Sequence, residues 1–172
     1  MMTMKKIILC LLALTVFAGS VSAKKDKTPG YDYELSLVME NVASTSGYKV
    51  FKVWSYTKKK ETITQEINMR NAVHGILFKG LAAADEGSQG NVPAMVPDGY
   101  DNFKGYFDNF FGSGEFKQFV QLTSKGAQKA GDVVKVGKQY KVGLLVQVNV
   151  TALRKRLERD GIVRSATDIF KR

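Results

Sequence analysis

His74 is the only histidine in the chain and the first candidate for proton transfer or metal binding. A hydrolytic triad needs its histidine beside a nucleophile and an orienting carboxylate. A zinc centre needs several His, Cys or carboxylate ligands that converge. The chain offers no second histidine, no His-Glu-x-x-His pattern, and a single cysteine, Cys10, near the N-terminus. His74 lies beside Val73 and close to Leu77 in a stretch of helical periodicity, which predicts a histidine packed in or half-exposed on a helix. Paired carboxylates are the remaining cheap route to hydrolysis, since glycosidase pairs sit roughly 5–10 Å apart across a cleft. Glu61 with Glu66 and Asp85 with Glu86 are available, none in a recognisable catalytic context. A Gly-x-Ser-x-Gly elbow and a phosphate-binding loop are both missing. Gly112-Ser113-Gly114 is only long enough for a turn, and the tripeptide Asn149-Val150-Thr151 falls at a strand–helix junction. No residue is assigned a catalytic, metal-binding or cofactor-binding role.

Binding chemistry has better candidates. Trp54 and Tyr56 are followed by Lys58, Lys59 and Lys60. Aromatic rings beside lysines can stack on sugar rings or sit at a membrane interface, and they also serve as ordinary sheet packing. Residues 85–99 contain Asp85, Pro93, Met95 and Pro97 among several glycines, without a periodic apolar face. Loops of this length are uncommon in compact domains and are often functional or disordered. Phe103, Tyr106, Phe107, Phe110 and Phe111 recur at helical spacing, the pattern of a core-facing stripe. With the preceding loop they could instead form a groove for a partner or a lipid.

The N-terminus suggests where such a surface would work. Lys5 and Lys6 precede an apolar run over residues 7–18, and Val21 and Ala23 occupy the −3 and −1 positions of a cleavage site. This is the layout of a secretory signal peptide over residues 1–23. The run is about 12 residues long, short of the roughly 20 that a spanning helix needs. Cys10 lies too early in the run to mark a lipoprotein cleavage point. The exported chain would then be cysteine-free and would depend on its core for stability. The whole chain carries a net charge of +10, and loss of the leader with its two lysines leaves about +8, a balance that favours acidic partners such as anionic lipid or cell-wall polymer. Export makes nucleic acid the least suitable of them. The same charge also serves solubility.

The elements that must position these residues follow from periodicity. Residues 24–30 read as a disordered leader. Tyr31, Tyr33, Leu35, Leu37 and Met39 alternate with polar residues as in a half-buried strand. A second strand over 48–57 pairs with it as a hairpin. Thr62-x-x-Gln65 has the form of a capping box and predicts a helix over 61–84. Gly75 and Gly80 either weaken that helix or permit close packing against the sheet. After the 85–99 loop come the aromatic helix over 103–111, a strand over 116–123 and a short strand over 133–136. A long strand over 140–150 follows, the clearest alternation in the chain. Thr151 is placed as the N-cap of a last helix facing inward through Leu153 and Leu157. Gly161 and Ile162 supply a Schellman-type stop, and a basic tail follows. The order β-β-α-α-β-β-β-α predicts one α+β domain over 31–172, with an antiparallel or mixed sheet of about five strands and helices on one face.

The stretch Val134-Lys135-Val136-Gly137-Lys138-Gln139-Tyr140-Lys141-Val142, continued through Asn149, Leu153 and Leu157, reads Gly-x-x-Tyr-x-Val, a long apolar strand, then Leu-x3-Leu. With Ala72 and Phe116-x-x-Phe119-Val120 upstream it resembles small cell-envelope proteins of the LPP20 lipoprotein and flagellar-assembly T type. It is more distantly similar to curli-secretion G-like and penicillin-binding-protein-activator domains. The resemblance spans about half the exported chain and implies a compact α+β domain in the periplasm or at the outer membrane that works by binding partners. It transfers no catalytic residue. The expectation is a non-enzymatic, periplasmic or secreted envelope protein with a binding or assembly role, its partner a protein or a cell-wall polymer. Peripheral contact with an anionic membrane is compatible with this. The alternatives are a carrier of small apolar ligands or lipids, with a pocket between the aromatic helix and the sheet, and a hydrolase built on a carboxylate pair.

Overall fold

The computed structural model describes residues 31–37, 46–82, 91–123 and 130–165. Five strands, β1 (Tyr33–Leu37), β2 (Tyr48–Thr57), β3 (Val120–Leu122), β4 (Val133–Val136) and β5 (Gln139–Asn149), form one sheet. Three α-helices, α1 (Gln65–Phe78), α2 (Lys104–Gly112) and α3 (Val150–Arg159), and four short 3-10 turns complete the described elements. Every strand pairing is antiparallel, in the order β1-β2-β5-β3, with β4 also on β5. β3 lies opposite residues 146–148 of β5 and β4 opposite residues 139–142, so the two short strands share one edge. This is the α+β fold that the element order predicts.

Alternation divides the sheet into two unlike faces. Phe51, Val53 and Ser55 of β2 sit opposite Val146, Leu144 and Val142 of β5, and all six are buried. Phe51, Val53, Leu144 and Val146 share one core with Ile76 and Leu77 of α1, Phe107 and Phe110 of α2, and Leu153 and Leu157 of α3. The other face carries Lys52, Trp54 and Tyr56 opposite Leu145, Gly143 and Lys141. The helices thus occupy one face of the sheet, because a sheet with one apolar face needs a single covering layer.

Several local boundaries differ from the periodic reading. Thr62 does not cap α1. It belongs to a 3-10 turn, Lys60–Thr62, where its hydroxyl donates to the Lys59 carbonyl at 2.7 Å. The N-cap is Thr64, whose Oγ1 accepts the Ile67 amide at 3.2 Å. The helix ends at Phe78, not near residue 84. Gly80 adopts φ +73° and donates its amide to the Gly75 carbonyl at 2.8 Å. Leu81 then bridges Val92, and the amides of Met95 and Val96 return to the Ile76 and Leu77 carbonyls. Residues 91–96 therefore form a strap that satisfies the open end of α1. Phe116 and Phe119 lie in a 3-10 turn, Glu115–Phe119, and only Val120–Leu122 are strand. A three-residue repeat aligns both rings on one side of such a turn, toward the core. Asn149, not Thr151, caps α3, because β5 runs straight into the helix and Asn149 Oδ1 accepts the Ala152 amide at 2.9 Å. The far end of α3 matches the sequence: Gly161 has φ +73°, and the Ile162 amide reaches the Leu157 carbonyl at 2.9 Å. The signal-peptide segment, the leader, residues 38–39 of the first predicted strand and residues 166–172 of the tail lie outside the described residues.

Gly75 faces β1. A Cβ placed there would stand 2.5 Å from Leu35 Cδ1, so this glycine sets how closely α1 lies on the first strand. Gly75→Ala should therefore destabilise the fold by about 1–3 kcal/mol despite alanine's better helix propensity. Gly105, in α2 with open space around it, should respond with the opposite sign, gaining up to about 1 kcal/mol as Gly105→Ala. Urea denaturation midpoints of the two variants against the parent check both signs.

Candidate binding surface

His74 is fully buried on α1, inside a box of aromatic rings. Tyr31 stacks on its imidazole at 3.8 Å between centroids, and Phe78, Tyr100 and Phe111 surround it at 4.7, 6.0 and 5.9 Å. The Tyr33 hydroxyl meets Nδ1 at 2.7 Å, whereas Nε2 has no hydrogen-bond partner among the described residues. Arg70 lies over the Tyr31 ring and Lys79 over the Tyr33 ring. Burial, then the positive charge of Lys79 and Arg70, pushes the His74 pKa from 6.5 down to about 3. The side chain is therefore neutral at physiological pH and works as a packed aromatic group with one polar contact.

One turn away, Ser55 of β2 donates its hydroxyl to Asn68 Oδ1 at 2.5 Å and accepts from Asn71 Nδ2 at 2.8 Å. All three residues are buried. An asparagine cannot take a proton from the hydroxyl, so this trio joins α1 to the sheet and does not prepare a nucleophile. Its signal in the sequence was the spacing Asn68, Asn71, His74 along one side of the helix, which an apolar periodicity passes over. Among the carboxylates, Glu66 is exposed and paired with Lys117 at 2.8 Å, while Glu61 is exposed in the 3-10 turn before α1. Asp85 and Glu86 lie outside the described residues. Among those described, no cluster of His, Cys, Asp and Glu could hold a metal ion.

The face of the sheet away from the helices brings several of the predicted contact residues together. The Trp54 ring edge lies across Gly143, where a Cβ would stand 2.7 Å from Cζ3. Trp54 Nε1 donates to Ser36 Oγ at 3.1 Å, and Lys52 and Lys141 place their ammonium groups 4.3 and 4.8 Å from the ring centroid. Lys52 is paired with Asp132 and Lys141 with Glu34, which also accepts the Tyr56 hydroxyl at 2.8 Å. Burial alone would raise the Glu34 pKa, but the hydrogen bonds from Lys141 and Tyr56 outweigh it and hold the carboxyl below its ordinary value. The result is an aromatic ledge whose side chains are fixed by one another. Lys58, Lys59 and Lys60 continue from β2 and are exposed.

The other predicted contacts are elsewhere. Pro93 and Met95 belong to the strap beside α1, on the helical side of the sheet. Met95 is only 9% exposed and joins the core, so it is not a free contact residue; its burial follows from the backbone hydrogen bond to Ile76. Pro93 and Pro97 are exposed, and Asp85 falls outside the described residues. Val92, Pro93 and Met95 wall a groove of about 340 Å³ whose far side is Val150, Thr151, Arg154 and Lys155 of α3. A single concave surface uniting Trp54, this strap and α2 does not form, because the sheet separates them. The rings of α2 are themselves core: Phe107, Phe110 and Phe111 are buried.

The neutral state of His74 has a measurable consequence. The unfolded chain accepts a proton at this residue near pH 6.5, whereas the folded chain refuses it until about pH 3. Stability should fall as pH drops below 6.5, by about 1–2 kcal/mol by pH 5, before carboxylates titrate appreciably. Thermal or urea denaturation between pH 7 and 5 should show the loss in the parent, and it should be absent over that interval in His74→Gln, measured against that variant's own stability at pH 7. No protein-family model matches the chain, and neither a curated protein nor a solved structure matches it.

Proposed function

We propose that this protein is a non-enzymatic, exported component of the cell envelope that binds a protein or cell-wall partner on the uncovered face of its sheet. One observation carries the reading: Trp54 and Tyr56 are held in place, half-buried, on the face of the sheet away from all three helices. A preformed aromatic ledge loses little side-chain entropy on binding, and Trp and Tyr are the residues most often dominant in binding energy. The layout of residues 1–23 supports the exported address. The similarity of residues 134–157 to small envelope proteins supports a binding or assembly role. The groove between the strap and α3 favours a second reading, a carrier for a small apolar ligand. Its position differs from the pocket expected between the aromatic helix and the sheet.

Photo-crosslinking in the native envelope tests the proposal. A crosslinker at Leu145, on the open face, should capture a reproducible partner, and one at Asn109, on the outer side of α2, should not. Trp54→Ala should lower that capture about tenfold or more, as truncation of a central aromatic contact does, while a denaturation midpoint shows that the fold persists. Capture at Asn109 with none at Leu145 would reject the open face as the contact surface.

A further inference from the structure

The end of the sheet where β2 stops and β4 turns into β5 combines two features that the ledge lacks. Val134 and Val136 are the large apolar side chains most open to solvent among the described residues, at 43% and 49% exposure. They stand two residues apart on an edge strand and so point to one side. Val134 lies opposite Lys141 and Val136 opposite Gln139, which places both valines on the same face as Tyr56. Lys135, Lys138 and the three consecutive lysines at 58, 59 and 60 are all exposed around them. Thr57 pairs with Tyr140, and Tyr140 with Lys135, so the lysine run is about two strand spacings, or roughly 10 Å, from the valines. None of these five lysines is in an ion pair with a described residue. Glu61 offsets one charge, while Glu34 and Asp132 are already engaged by Lys141 and Lys52.

The combination narrows the occupant. A soluble polyanion would use the lysines but gain nothing from two solvent-facing valines. A protein partner in a stable complex needs about 800 Å² of matched surface on each side, far more than two small side chains on a hairpin offer. A bilayer rich in anionic phospholipid uses both features: phosphates attract the lysines, and short aliphatic side chains enter the interfacial layer. We propose that this valine–lysine end of the sheet docks the protein on an anionic phospholipid surface. The inference is independent of the Trp54 ledge, which needs a protein or polymer partner, and it is tested without one.

The test is co-sedimentation of the full chain with vesicles of phosphatidylcholine alone and of phosphatidylcholine with about one third phosphatidylglycerol. The apolar run at residues 7–18 and the lysines flanking it are common to all variants, so the change in anionic preference from parent to variant isolates the patch. The parent should show a clear preference that weakens with salt. Replacing Lys58, Lys59 and Lys60 together by Gln should weaken anionic binding about a hundredfold, from roughly fivefold per lysine near the surface. Val134→Ser with Val136→Ser, which leaves the charge unchanged, should weaken it several-fold. Should the serine pair disturb the hairpin, Val136→Trp supplies the second measurement: its fluorescence should shift to the blue on anionic vesicles and be quenched by brominated lipid. Equal partition of the parent to both vesicle types would overturn the proposal. So would loss of binding in the lysine variant with an unchanged serine pair and no shift at Val136→Trp, a result that would assign the patch to soluble polyanions.

Discussion

Between residues 71 and 77 every side chain of α1 is buried, so this helix has a neighbour on every side and the rest of the domain is arranged to supply them. The sheet lies under one side, α2 and the Glu115–Phe119 turn pack on another, and the 91–96 strap closes the C-terminal end. A helix in that position cannot leave a polar group to water. Asn68 and Asn71 therefore share Ser55, His74 takes the Tyr33 hydroxyl, and the last carbonyls receive amides from the strap. Gly75 belongs to the same constraint, since a Cβ there would press into the Leu35 side chain of β1. The remaining cost is local: Asn71 Oδ1 and His74 Nε2 find no partner among the described residues, at a typical penalty of about 1–3 kcal/mol for each such group.

That constraint also determines where recognition can occur. The polar side chains of α1, Asn68, Asn71 and His74, are consumed by packing. The helices and strap enclose one face of the sheet, while the opposite face carries Trp54 and Tyr56, both half-buried. Their polar neighbours are matched in pairs, Lys52 with Asp132 and Lys141 with Glu34. These pairs are partly exposed, so each contributes little stability on its own. Their effect is positional, because each carboxylate keeps a lysine stem beside the indole ring.

Much of this was legible in the sequence. The alternation of β5 is unmistakable because the strand has partners on both edges and a continuous buried side, and Gly161-Ile162 is a local motif whose geometry needs no tertiary context. The orientation of Trp54 with Tyr56 also follows from a period of two. Long-range pairing was not legible. That Gly143 lies beneath Trp54 depends on the β2–β5 register, which the alternation of either strand leaves free to slip by two. Thr62 and Thr64 are equally good caps by residue type, and the choice fell to the hydroxyl pairing of Thr62 with Thr57 across a tight turn. The end of α1 was misplaced because Leu81 continues the apolar spacing of the helix, yet it is buried by a bridge to Val92. Met95 reads as a loop residue for the converse reason: the three apolar residues Ala94, Met95 and Val96 between two prolines are too few for a period to reveal which face inward.

The distribution of charge follows from the same pairing and bears on what the surface can recognise. A net charge of +10 describes the chain as a whole, but on the open face near Trp54 the lysines are neutralised by carboxylates a few ångströms away, so an anion approaching the ledge meets little net field. Recognition there has to come from ring area and fixed hydrogen-bonding groups. Among the described residues, lysines without an ion pair gather in the run after β2 and around the β4–β5 turn, while Lys49 and Lys155 stand singly. Field strength and aromatic surface are thus separated along one sheet.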